Sequence, residues 1–219
     1  WFSPRGLTSD GGRVAFLFPG VDADFRPRIE DVAHWAGRSF IESADASELE
    51  RTGVGIILVN RLLCEVLGEV GIHPDFVAGH SIGEWSAMIA AKVIPGDAVD
   101  DLLSRLEPGQ LVVSGVVFAA VGAGAERIKP IIDQFEEVHV SHDNCPHQSI
   151  VCGPEAEVDA TVAQLLESGV LSQKLSFQSG FHSPHFAQFL QPIREDIEGL
   201  SIQPASTPIW SATTCSPYP

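Results

Sequence analysis

The sequence predicts an α/β protein in two parts, a larger α/β core and a small ferredoxin-like lobe inserted into it. Three observations carry that expectation. Phe76-Val77-Ala78-Gly79 is a short apolar strand that runs through a glycine turn into a helical stretch. From Val116 onward, strand and helix patterns follow one another in β-α-β-β-α-β order. A helix and a short strand then return the chain to the core. The expected division is 1–115 with 178–219 for the core and 116–177 for the small lobe.

Each element has a local reason. Arg13 to Phe18 is a buried first strand that stops at Pro19-Gly20. A short helix is expected over Ile29 to Trp35. Ile56, Val59, Leu62, Leu63, Val66, Leu67 and Val70 recur at helical spacing, so a helix is expected over Gly55 to Val70. Gly71-Ile72-His73-Pro74 ends it. The strand at Phe76–Gly79 comes next, then an alanine-rich helix over Trp85 to Lys92. In the lobe, strands are expected at Val116–Val121, Val138–His142, Ser149–Cys152 and Leu171–Phe177. Its helices are expected at Ala125–Phe135 and Ala156–Ser168. Phe186 to Leu200 reads as a helix and Pro208 to Ala212 as the last strand.

Composition narrows the function classes. The 219 residues are 44% hydrophobic and 19% charged, ordinary for a globular chain. No apolar run approaches the roughly 20 residues of a membrane span, and Trp1 to Gly12 lacks the pattern of a signal peptide. A formal net charge of −16 argues against nucleic acid and anionic membranes as partners. Cys64, Cys145, Cys152 and Cys215 form no C-x-x-C pair, as expected of reduced thiols in a cytoplasmic protein. His139, His142 and His147, like His182 and His185, lack an acidic or cysteine partner at a ligand spacing. They are read as surface or strand-end histidines, with no metal site expected.

The chemistry concentrates at Gly79-His80-Ser81-Ile82-Gly83-Glu84. A serine hydroxyl is a poor nucleophile until a base takes its proton. It must also project from a bend where N–H groups can receive a developing oxyanion. Flanking glycines permit that bend, and the following helix adds unpaired N–H groups and a positive dipole end. Strand, glycine turn and helix in this order form a nucleophile elbow, which makes the core hydrolase-like. The plainer alternative is Ser81 as a cap for the helix at Ile82.

The string Gly79 to Glu84 resembles the GHSxGE motif of the malonyl-CoA:acyl-carrier-protein transacylase family, which includes the acyltransferase domains of polyketide and fatty acid synthases. Phe16-Leu17-Phe18-Pro19-Gly20 resembles that family's first strand and loop. Gly180-Phe181-His182-Ser183-Pro184-His185 is similar to its histidine segment. The run Asp143 to Gly153 resembles its Asn-x-Pro-x-Gln stretch. The four motifs occur in the family's order.

That resemblance implies a ping-pong acyl transfer. Ser81 is the nucleophile and His182 its general base, with His185 the competitor for that role. The backbone N–H groups of Val21 and Ile82 form the oxyanion hole. His80 lies near the acyl chain or the acceptor thiol, Phe181 beside the histidine, and Asn144 at the seam between lobes. Acyl-CoA is the donor substrate, and the phosphopantetheine arm of an acyl carrier protein is the acceptor. No bound cofactor is expected, and neighbouring synthase domains are possible partners. Arg105 matches the arginine that holds the free carboxylate of malonyl or methylmalonyl units. Ile82 and the pattern Ser179-Gly180-Phe181-His182 lean towards malonyl.

The chain also departs from the family. Val21 stands where the family has Gln, Thr52-Gly53-Val54 replaces its Gln-Pro, and Pro108-Gly109 stops the helix soon after Arg105. The chain stops at Pro219, ahead of the segment whose carbonyl orients the histidine in the family, so a piece of a larger synthase is expected. Two other readings stand beside the transferase. One is a degenerate acyltransferase-like docking domain. The other is a serine esterase or thioesterase using Ser81, Asp143 and His182. Glu84 is either a carboxylate complementing the helix dipole or a functional group.

Overall fold

The computed structural model describes residues 6, 11–21, 26–37, 48–105 and 111–218. The fold is mixed α/β, with a mainly parallel sheet and a separate antiparallel sheet. Two compact units carry them: Trp1–Pro108 with Gly199–Pro219, and Gly109–Glu198.

The first unit opens with β1 (Ala15–Phe18), α1 (Glu30–Trp35), α2 (Glu48–Glu69), β2 (Phe76–Gly79), α3 (Gly83–Ala90) and α4 (Gly96–Ser104). β1 and β2 run parallel in the register Phe16 to Val77 and Phe18 to Gly79. The late strand β7 (Ile209–Ser211) pairs parallel with β2, and β8 (Ser216–Pro217) pairs antiparallel with β7. Strand alternation sends Phe16, Phe18, Val77 and Ile209 to one face, where they pack with Ala87, Met88 and Ala91 of the α3 region. The opposite face carries Leu17, Ala78 and Trp210 in one cross-strand row, with Leu17 76% exposed.

α2 begins at Glu48, seven residues ahead of the Gly55 start that the apolar stripe predicted. Leu49 is buried in that extra stretch, and so is Glu50, a polar residue that helical spacing of apolar residues cannot flag. Asn60 Nδ2 donates to Ser86 Oγ at 3.0 Å and ties α2 to α3 inside the unit. The chain re-enters beside α3, where the Gln203 N–H donates to Val93 O and the Ser206 N–H to Ala91 O.

The second unit holds β3 (Val116–Val121), α5 (Ala125–Ile132), β4 (His139–Cys145), β5 (Gln148–Pro154), α6 (Glu155–Glu167) and β6 (Ser172–Gln178). A 3-10 helix at Pro184–Phe189 and α7 (Leu190–Glu198) follow. The sheet order is β4-β5-β3-β6, and every pair is antiparallel. β3 is central and nearly all buried, because both of its faces are covered. Val117, Ala119 and Val121 pack with Ile128, Ile132, Val158 and Leu165 of α5 and α6. Val116 and Phe118 pack on the other side with Cys152 and Phe186. Pro184 at the start of the 3-10 helix supplies no N–H, which suits a first-turn position.

Candidate active site

In the first unit, the β2–α3 turn is held by close backbone packing. A Cβ on Gly83 would stand 2.2 Å from Phe18 O, so only glycine fits against β1 there. Ser81 is driven to φ +54°, a left-handed conformation that L-residues other than Asn and Asp seldom adopt. Its side chain is half-buried. The first turn of α3 closes on the elbow itself: the Gly83 N–H donates to His80 O and the Glu84 N–H to Ser81 O, both at 2.9 Å. Among the described residues, the Ile82 N–H has no protein acceptor.

The loop after β1 runs alongside. A Cβ on Gly20, the residue before Val21, would stand 3.1 Å from His80 O and 3.5 Å from Ser81 Cβ. His80 is exposed, and its N–H donates to Phe18 O. The Ile82 side chain turns inward and packs with Ile57, Ile94 and Val99. The structure thus gathers His80, Ser81, Ile82 and Gly20 in one place. Arg105 is the C-cap of α4, exposed and ion-paired with Asp101 one turn earlier.

Glu84 is more than a helix-start carboxylate. Its Oε1 accepts from Ser211 Oγ (3.2 Å), the Ala212 N–H (2.8 Å) and the Thr213 N–H (3.1 Å), and its Oε2 accepts from the Tyr218 hydroxyl (2.8 Å). Partial burial works to raise its pKa. The bonds from Tyr218, Thr213, Ala212 and Ser211 together override that effect and hold the carboxyl below its ordinary value. Glu84 therefore ties the elbow helix to the turn that follows β7, 127 or more residues away in sequence.

In the second unit, His182 is exposed and also has a positive φ, +57°. Its turn is held from below: Ser183 Oγ donates to Gly180 O at 2.7 Å, and Cys152 Sγ lies 3.6 Å from Ser183 Oγ. Phe181 packs at a tilt against buried Phe186 with ring centroids 4.7 Å apart. The His182 ring meets His142 edge to face at 4.6 Å. His142 is a neighbour that spacing along the chain did not single out as a site residue.

Two rivals for catalytic roles are otherwise engaged. His185 Nε2 lies 2.7 Å from Glu137 O, which can only accept, so that nitrogen carries a proton and donates it. Asp143 Oδ1 accepts the Ala125 N–H at 3.0 Å, at the start of α5. Asn144 Nδ2 donates to Gln148 Oε1 across the β4–β5 hairpin. Among the described residues, no group of three or more His, Cys, Asp or Glu is arranged to hold a metal ion. Among the same residues, no helix is long and apolar enough to cross a membrane.

A family model described as "Acyl transferase domain" matches residues 23–218. The malonyl CoA-acyl carrier protein transacylase of Synechocystis sp. is 25% identical over 224 residues, covering 99% of this chain and 75% of that protein. The protein of the same name from Bacillus subtilis is 29% identical over 228 residues, covering 91% of this chain and 72% of its own. The crystal structure of the acyltransferase domain from the second module of the salinomycin polyketide synthase matches with a TM-score of 0.79 at 26% identity. That match covers 94% of this chain and 55% of the other, so the chain spans about half the length of that solved protein.

Proposed function

Because the chain belongs to the acyl transferase domain family, we propose that it moves a malonyl unit from CoA to the thiol of an acyl carrier protein through an ester on Ser81. The process served is polyketide or fatty acid synthesis, and the compartment is the cytoplasm. The observation that carries this reading is the positive φ of Ser81 at the head of α3, in a turn where glycine backbones meet at close range. A helix cap has no need of that conformation; Ncap residues favour extended φ/ψ. A nucleophile that must stand clear of its backbone does need it.

The chemistry runs in two displacements. Ser81 Oγ attacks the thioester carbonyl as His182 takes its proton, and the negative charge grows on the carbonyl oxygen. The Ile82 and Val21 N–H groups receive that charge, helped by the positive end of α3. The carbon–sulfur bond breaks, and the CoA sulfur leaves with the proton held by His182. In the second displacement the carrier thiol gives its proton to His182 and its sulfur attacks the ester. Ser81 Oγ then leaves and takes the proton back.

The remaining roles follow from side-chain chemistry. Arg105 pairs with the malonyl carboxylate, giving up its exposed partner Asp101 when substrate binds; a surface ion pair of that kind is weak. His80, Phe181 and Asn144 line the path of the acyl chain and the carrier arm. The small lobe, with its β4-β5-β3-β6 order, is ferredoxin-like, and the core that it interrupts is hydrolase-like. The engagement of Asp143 at α5 and of His185 at Glu137 supports a Ser81–His182 dyad over an esterase triad.

Intact-protein mass spectrometry after incubation with malonyl-, methylmalonyl- or acetyl-CoA tests the proposal. A malonyl adduct is expected on the wild type and not on Ser81→Ala. Arg105→Ala should lower malonyl loading and leave acetyl loading as it was. No adduct from any donor would favour a docking domain over an enzyme.

A further inference from the structure

We propose that His142 is a positioning residue for His182, holding its imidazole edge to face; this rests on the reading of His182 as the base. A base must present one nitrogen in one direction. His182 stands exposed on a turn of positive φ, so the direction of its ring depends on the groups that it meets.

The β4–β5 hairpin supplies one such group. Val140 pairs with Val151 and His142 with Ile150, which leaves Ser141 as an extra residue on β4. A bulge of this kind re-aims the side chain beside it. Ser141 Oγ donates to Ile150 O at 3.2 Å and lies 2.9 Å from His142 Nδ1. The contact to Nδ1 ties the plane of the His142 ring to the bulge. That ring meets His182 with centroids 4.6 Å apart and planes at 70°, the edge-to-face geometry that aromatic pairs prefer. His139 and His185 form a second, tilted pair at 5.3 Å, but His185 is already committed to Glu137. Of the two pairs, only the one made by His142 involves the proposed base.

The test compares single-turnover acylation by malonyl-CoA in the wild type, His142→Ala, His142→Phe, Ser141→Ala and His182→Ala. Each variant is first checked for an unchanged melting temperature. His142→Ala should slow the maximal rate about ten- to a hundred-fold, as loss of orientation does. The half-saturating concentration should stay within about two-fold. His142→Phe keeps a ring at the contact and should recover to within about three-fold of the wild type, while Ser141→Ala should lose less than His142→Ala. A normal rate in His142→Ala, a loss confined to the half-saturating concentration, or a Phe variant as slow as Ala would overturn the inference. If His182→Ala is dead while His142→Ala is normal, the inference alone falls. If His182→Ala acylates normally, the base reading falls first and takes the inference with it. Imidazole nitrogen NMR reads the same point without turnover. His142→Ala should change the tautomer balance of His182 and His142→Phe should not; an unchanged His182 signal in His142→Ala overturns the proposal.

Discussion

Gly79 and Gly83 pack so closely that a Cβ on Gly79 would stand 2.0 Å from the carbonyl carbon and oxygen of Gly83. Both are backbone atoms in the first turn of α3, and no side-chain rotation can relieve the clash. Gly79→Ala must therefore push the strand off the helix. We expect it to cost more than about 4 kcal/mol, measured by urea denaturation, and to abolish acylation. A Gly79→Ala protein with wild-type stability would contradict the elbow described above.

Ser81 stores strain that its replacement can release. A left-handed residue with a Cβ costs roughly 1–2 kcal/mol, and glycine does not bear that cost. Both Ser81→Gly and Ser81→Ala should be inactive, but Ser81→Gly should be the more stable by about 1 kcal/mol. Thermal melts of the two variants side by side would decide it, and equal stability would mean that the +54° φ carries no strain.

Glu84 should make stability depend on pH on the acid side. Its folded pKa is depressed, so its contribution is fully present above the ordinary carboxylate range and is lost as pH falls through the lower folded value. Glu84→Gln should therefore destabilise the protein at about pH 7 and lose that effect progressively below about pH 5. Urea midpoints of the two proteins across this range should converge on acidification. Parallel curves would show that the charge on Glu84 does not matter. Tyr218→Phe removes one donor to the carboxylate and should cost about 1 kcal/mol.

The four thiols should separate by accessibility. Cys145 and Cys215 are exposed, whereas burial pushes the thiols of Cys64 and Cys152 up to about 11. The thiolate is the reactive form, so iodoacetamide at neutral pH should modify Cys145 and Cys215 and spare the other two. Peptide mapping of native and urea-unfolded protein would show it. Early labelling of Cys152 would place its segment, beneath the His182 turn, in an open state.

Much of the fold was legible because local rules decide it. Apolar alternation marks β3 and helical spacing marks α6, since each has a face to bury. What escaped was decided at a distance. β8 is two residues long and exists only as the partner of β7. The first turns of α2 bury Glu50, a residue whose chemistry predicts exposure. At the candidate site, the motif around Ser81 could be read from six consecutive letters. The partners of Glu84 could not, because they lie beyond residue 210.

By itself, the sequence determined the family, the strand-turn-helix order around Ser81 and the β-α-β-β-α-β order of the second unit. These are matters of local propensity and residue order, which a linear string records. Only the tertiary structure decided that Glu84 anchors the turn after β7, that Glu137 occupies His185, and that a bulge at Ser141 turns His142 onto His182. Each of these joins side chains that are far apart in sequence, or depends on a single extra residue in a strand register. The free energy that settles such contacts belongs to the packed chain, and no short window of sequence contains it.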